Sequence, residues 1–363
     1  DVNIAETANP NVGALARNIN ASSELQSSVH NCSASGTMSV NCANYTVKTK
    51  NTNTEIAVGG LVGYARGVKF SDCKNAINIS ATQLTSNGST VAANASIAGI
   101  VGYIDAASEV LSGDITNCEN TGNLVFNDGS TSTAASQLFL AGIFGQSRAD
   151  NVNSSISNLT NRGNLTLEKP LVATCYFGGI CGHITTQTLT NTKNYGTLIA
   201  KGGDYASLQM GGCVGYGVYL YLVDAHNYGT ITVDESAVYK ALIVGGVWGK
   251  FTGEGGYTND NCSNSGPVSV YGKSTSNATQ FRIGGLGGWS QSIITNCVNH
   301  KSGTITVDAE ITIAQNPGSS TVGGVVGYKT IDATDGAKNE ADINVKLNTT
   351  TSASEVQYVA GVY

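Results

Sequence analysis

The feature that most constrains this chain is a pair of short phrases that recur together along almost its whole length. The first is small-Gly-apolar-apolar-Gly, as in Gly59-Gly60-Leu61-Val62-Gly63-Tyr64. Further clear copies occupy 98–103, 141–145, 178–182, 211–216, 245–249, 284–288 and 323–328, with a degenerate copy around Gly13. From Gly60 to Gly361 there are eight steps over 301 residues, with a mean near 38 and individual steps of 33 to 43. The second phrase is Asn-Cys-x-Asn-x-Gly-x-apolar, as in Asn117-Cys118-Glu119-Asn120-Thr121-Gly122-Asn123-Leu124. It returns at 261–268 and, more loosely, at 158–167, 191–198 and 224–233. The copy at 296–307 carries a two-residue insertion, and that at 72–79 lacks the glycine. Self-similarity at such a period marks a repeat architecture.

Patterning selects which one. Helical solenoids need long segments of 3.6-residue periodicity free of glycine. Here segments such as Gly229-Thr230-Ile231-Thr232-Val233 and Gly303-Thr304-Ile305-Thr306-Val307 alternate with a period of two. Three short strands per repeat, stacked on identical neighbours, predict an all-β fold: a right-handed parallel β-helix of about nine coils with roughly 38 residues per coil. A propeller has repeats of similar length but requires more hairpin turns than these repeats supply. One domain over 1–363 is expected, with a degenerate coil over 1–50 and clear repeats over 51–363. Val359-Ala360-Gly361-Val362 opens a last coil that the chain does not finish, so further repeats or domains are expected in the full-length protein.

Stacking at about 4.8 Å sets like residues on like. Asn75, Asn120, Asn161, Asn194, Asn227, Asn264, Asn299 and Asn339 should form one column, each amide donating to one neighbouring coil and accepting from the other. The glycines that follow (Gly122, Gly163, Gly196, Gly229, Gly266) are expected to supply the positive φ of a tight corner. Cys32, Cys73, Cys118, Cys262 and Cys297 share a position with Leu159, Thr192, Ala225 and Ala337, which predicts buried free thiols used as small apolar fillers. Val58, Ile97, Leu140, Phe177, Met210, Val244, Ile283 and Val322 lie two residues before the anchor glycine, and another apolar residue lies one after it. Both cannot face inward on a flat strand, so the glycine doublet should mark a bend or bulge.

Composition narrows the function. Asp, Glu, Lys and Arg make up only 12% of the chain, about half the usual share, and the net charge of −6 includes no basic run. A nucleic-acid partner is therefore not expected. No apolar run approaches the roughly 18 residues of a membrane span. The N-terminus lacks signal-peptide features, as it would after processing of a secreted protein.

Together the two phrases resemble the GLUG-motif repeats of bacterial surface proteins, with Gly60-Leu61-Val62-Gly63 as the core. The resemblance runs from about residue 12 to 363. It implies a secreted or bacterial cell-surface setting, alongside adhesin-like proteins and immunoglobulin A1 proteases. In that protease family the chemistry belongs to a zinc domain with His-Glu-x-x-His, which this chain lacks: His30, His183, His226 and His300 are isolated.

No enzyme activity, cofactor or metal is expected. A polysaccharide lyase or glycosidase, the alternative for a β-helix, needs clustered carboxylates, and the acidic residues form no recurring column. Cys181-Gly182-His183 occupies positions filled elsewhere by Val and Tyr, which argues against a nucleophile–base pair. The expected role is a non-catalytic structural or adhesive module that binds a host or dietary glycan or a host surface protein. The candidate ligand-binding residues are tyrosines. Tyr195 and Tyr228 follow the column asparagine in consecutive coils and should stack about 5 Å apart on an outer corner. Tyr219 and Tyr221 alternate with Leu220 and Leu222 and add aromatic surface if the leucines point inward.

Overall fold

The computed structural model describes residues 2–3, 11–21, 26–41, 55–82, 94–105, 113–127, 135–148, 154–168, 171–253, 256–275, 279–312, 320–330, 334–349 and 358–360. Cys42 and the last three residues, including Gly361, lie outside them. Among the described residues the protein is all-β, 70% strand with no helix. Every strand pairing among the described residues is parallel and joins a strand to its equivalent one coil away, as in Asn94–Ala98 against Glu55–Gly59 on one side and Ala135–Ala141 on the other. Ten copies of this first strand stand side by side, from Asn11–Gly13 to Tyr358–Ala360, and nine coils lie between them. The parallel β-helix follows. Gly13 pairs with Gly59, so the degenerate first copy is in register with the rest.

The interior is divided into two apolar columns. Val58, Ile97, Leu140, Phe177 and Met210 pack with Ile79, Leu124, Leu165 and Leu198 in the first. Leu61, Ile100, Ile143, Ile180 and Val247 pack with Phe70, Cys73, Cys118 and Leu189 in the second. The residues on either side of the glycine doublet are thus both buried, because the chain bends at the doublet and sends them into different columns.

Between the two columns runs the asparagine ladder. The eight column residues pair in register, and from Asn75 to Asn299 each Nδ2 donates to the Oδ1 of the next coil at 2.8–3.0 Å. The anchor glycines make room for it. A Cβ added at Gly60, Gly99, Gly142, Gly179 or Gly212 would come within 2.6 Å of the Asn side chain of its own coil. The two recurring phrases are therefore the two halves of one contact.

The glycines that follow the column asparagine do not take the expected conformation. Gly122, Gly163, Gly196, Gly229 and Gly266 are absent from the residues with positive φ. Their constraint is proximity: a Cβ at Gly163 would lie 1.9 Å from the carbonyl oxygen of Gly122, and one at Gly229 2.0 Å from that of Gly196. The left-handed conformation falls instead on the residue before the cysteine position: Asn31, Asp72, Asn117, Asn158, Asn191, Asp224, Asn261 and Asn296, with φ between 47° and 58°. Asn and Asp tolerate this region better than other side-chain-bearing residues. Their side chains form a second, outer ladder, with Asn117 donating to Asp72, Asn158 to Asn117 and Asn191 to Asn158 at 2.7–3.1 Å.

The eight described cysteines are all free thiols, and all but Cys32 are buried. Cys262 and Cys297 meet in adjacent coils, where the Cys262 N–H donates to the Cys297 sulfur at 3.3 Å.

Candidate functional site

A β-helix turns alternate residues outward, so its lateral surface is a set of columns with one residue per coil. The residue after the column asparagine faces solvent in every coil described. Where consecutive coils place tyrosine there, the rings stack: Tyr195 and Tyr228 lie 4.8 Å apart with planes inclined by 10°. The Arg162 guanidinium, one coil earlier, lies 4.5 Å from the Tyr195 ring centre and donates from Nε to Glu119 Oε1 at 2.9 Å. Tyr219 and Tyr221 are also exposed, at 45% and 38%, while Leu220 and Leu222 are buried. Tyr257 from the next coil lies against both, at 5.4 and 5.0 Å. These four tyrosines are four of the five large hydrophobic residues exposed among the described residues, Leu15 being the fifth. No ring contact joins the Tyr195–Tyr228 pair to the Tyr219–Tyr221–Tyr257 group. Tyr219 holds φ at +52°, a strained conformation for an aromatic residue.

A second set of columns, largely buried, lies outside the two apolar columns at the glycine bend. The residues just before and just after the glycine bend that belong to neither apolar column touch one another, and those of the leading wall are buried by this contact and their neighbours. The leading wall is Ala57, Ser96, Phe139, Tyr176, Gln209, Ile243, Arg282 and Thr321, in register. The trailing wall is Tyr64, Tyr103, Gln146, His183, Tyr216, Lys250, Trp289 and Tyr328, also in register. The sequence did carry this signal, because each trailing residue directly follows the closing glycine of the first phrase.

The middle of the seam is aromatic. Tyr176 stacks on Phe139 at 5.1 Å and on Tyr216 at 5.3 Å, with His183 in contact with all three rings. Burial, helped by the nearby charge of Arg148, pushes the His183 imidazole down to about 3. Its Nδ1 is enclosed without a hydrogen-bond partner. Cys181 points the other way, into the second apolar column, where burial pushes its thiol well above the ordinary value. Cys181 and His183 are therefore not a nucleophile and its base.

Several carboxylates pair with cations of neighbouring coils. Asp114 pairs with Lys69 at 3.1 Å, Glu119 with Arg162 at 2.9 Å, Glu168 with Lys201 at 2.7 Å and Asp308 with Lys346 at 3.2 Å. Among the described residues, no group of three or more His, Cys, Asp or Glu side chains could hold a metal ion. No helix of the described residues is long and apolar enough to cross a membrane.

The fold defines a parallel β-helix repeat protein. No family model, no curated protein and no solved structure matches the chain.

Proposed function

We propose that this protein is a non-catalytic binding module, secreted or held at a bacterial cell surface, whose β-helix presents lateral columns of tyrosine to a glycan. The observation that carries this reading is the exposed Tyr195–Tyr228 stack. Two parallel rings one coil apart offer apolar faces to sugar rings, and their hydroxyls offer orientation. The backbone beneath them is rigid, since both follow ladder asparagines that are hydrogen-bonded to the coils on either side. Glycosidase and lyase chemistry needs carboxylates free to move protons, whereas several of the acidic side chains here are engaged in ion pairs. The resemblance of the repeat phrases to GLUG motifs supports the cell-surface setting. A glycan array probed with the purified protein, followed by product analysis on any polysaccharide that binds, tests the reading. Binding without turnover is expected. Cleavage of a bound polysaccharide would make the protein a carbohydrate-active enzyme instead, and the absence of any bound glycan would remove the ligand class.

A further inference from the structure

The C-terminal part of the seam differs in character from its middle. Trp289 is contacted by two cations: Lys250 Nζ lies 4.0 Å and the Arg282 guanidinium carbon 4.1 Å from its ring centre. Arg282 also lies 3.8 Å from the ring centre of Tyr328, and Lys250 5.5 Å from that of Tyr216. Neither cation forms an ion pair with a carboxylate of the described residues. Arg282 is only 8% exposed, and its Nε and Nη1 have no hydrogen-bond partner. Trp289 Nε1 and Thr321 Oγ1, beside it in the seam, are also unpartnered.

This arrangement is costly as it stands. Burying a guanidinium without acceptors loses charge-assisted hydrogen bonds, and cation–π contact offsets only part of that loss. Burial pulls Arg282 down to about 10, and burial together with the Arg282 charge pulls Lys250 down to about 8. Both groups remain charged near neutrality. An anionic oxygen group entering the seam would supply the acceptors that the protein does not.

We propose that Lys250, Arg282 and Trp289 form a binding site for the carboxylate or sulfate group of an acidic saccharide. The indole holds the two cations by its ring, and the anion completes them with charge-assisted hydrogen bonds. The saccharide assignment rests on the glycan reading above. The cation site is independent of the tyrosine stack, because no residue is common to both.

Neighbouring coils supply replacements compatible with the fold. Tyr216 and Tyr328 stand where Lys250 does in other coils, and Ile243 stands where Arg282 does. Lys250→Tyr and Arg282→Ile should therefore fold. Trp289 is one of only two tryptophans in the chain, and Trp248 is fully buried, so indole emission reports on the site. The full chain and each variant would be titrated with oligogalacturonate, a sulfated oligosaccharide, a neutral glucan and inorganic sulfate, with emission and calorimetry as readouts. Wild-type protein should bind an acidic saccharide with a change in emission and more weakly as salt rises. Each single variant should bind at least tenfold more weakly, and a Tyr195→Ala/Tyr228→Ala variant should keep the emission response. Undiminished acidic-saccharide binding in both seam variants, or binding of the neutral glucan alone, would overturn the site while leaving the glycan reading intact. A response to inorganic sulfate alone, lost in the variants, would overturn the saccharide assignment and leave an ion site only. No response to any of the four would overturn the proposal outright.

Discussion

An asparagine amide carries two donor hydrogens and two acceptor lone pairs, and the inner ladder uses all four. Asn194 donates to Asn227 Oδ1 and to the Gly196 carbonyl; its own Oδ1 accepts from Asn161 Nδ2 and from the Gly196 N–H. Asn194→Ala should therefore cost about 1–3 kcal/mol for each neighbouring group left unsatisfied, seen as a lower urea midpoint. A change within error would mean that the ladder contributes nothing. His183 adds a pH dependence of known sign. It is neutral in the fold down to about pH 3 and takes up a proton in the unfolded chain below its ordinary value of 6.5. Its contribution is thus complete above pH 6.5 and lost as pH falls towards 3. His183→Gln, which copies Gln146 of the preceding coil, should flatten the dependence of the unfolding midpoint on pH between 6.5 and 4. An unchanged slope would mean that another group carries it. The column asparagines were legible in the sequence because each recurs at a fixed place in its phrase. The left-handed residues were not: the Asn or Asp before the cysteine position recurs in the same phrase, but the positive φ was expected of the glycine four residues after the cysteine.

At the scale of the strand and its bends, the glycine doublet is where the chain passes from one apolar column to the other. Gly212→Ala would put a Cβ 2.1 Å from the Gly246 carbonyl oxygen and 2.3 Å from Asn227 Cγ. Backbone on one side and a hydrogen-bonded amide on the other leave nothing free to yield, so this substitution should destabilise more than Asn194→Ala. Gly36→Ala is the contrast on steric grounds, because open space surrounds its Cβ and only its φ of +123° opposes the change. Comparing the two by chemical denaturation separates crowding from backbone strain. Alternation within a strand was readable: it set Tyr219 and Tyr221 on one face and Leu220 and Leu222 on the other, and the structure turns the leucines inward. The trailing residues of the seam recur visibly after the closing glycine of the first phrase, but their contact with the leading wall was not readable, since it joins residues seven apart that only the bend brings together, such as Arg282 and Trp289.

For the whole molecule, every strand pairing among the described residues joins adjacent coils, and stability accrues coil by coil. The polarity of the inner ladder is the same at every step, with each coil donating to the one that follows it. Circular dichroism should show strand and almost no helix; more than about a fifth of residues in helix would contradict the architecture. The repeat revealed the architecture from sequence because stacking forces like onto like. A ligand leaves no such periodic trace, so the surface had to be judged from single outward residues. The measurement that bears most directly on the proposed role is the affinity of the Tyr195→Ala/Tyr228→Ala variant for a neutral glycan that the wild-type protein binds. Neither ring is in the core, so the dichroism spectrum should be unchanged while affinity falls about tenfold, the equivalent of about 1.4 kcal/mol. Undiminished binding by a folded double variant would contradict the account.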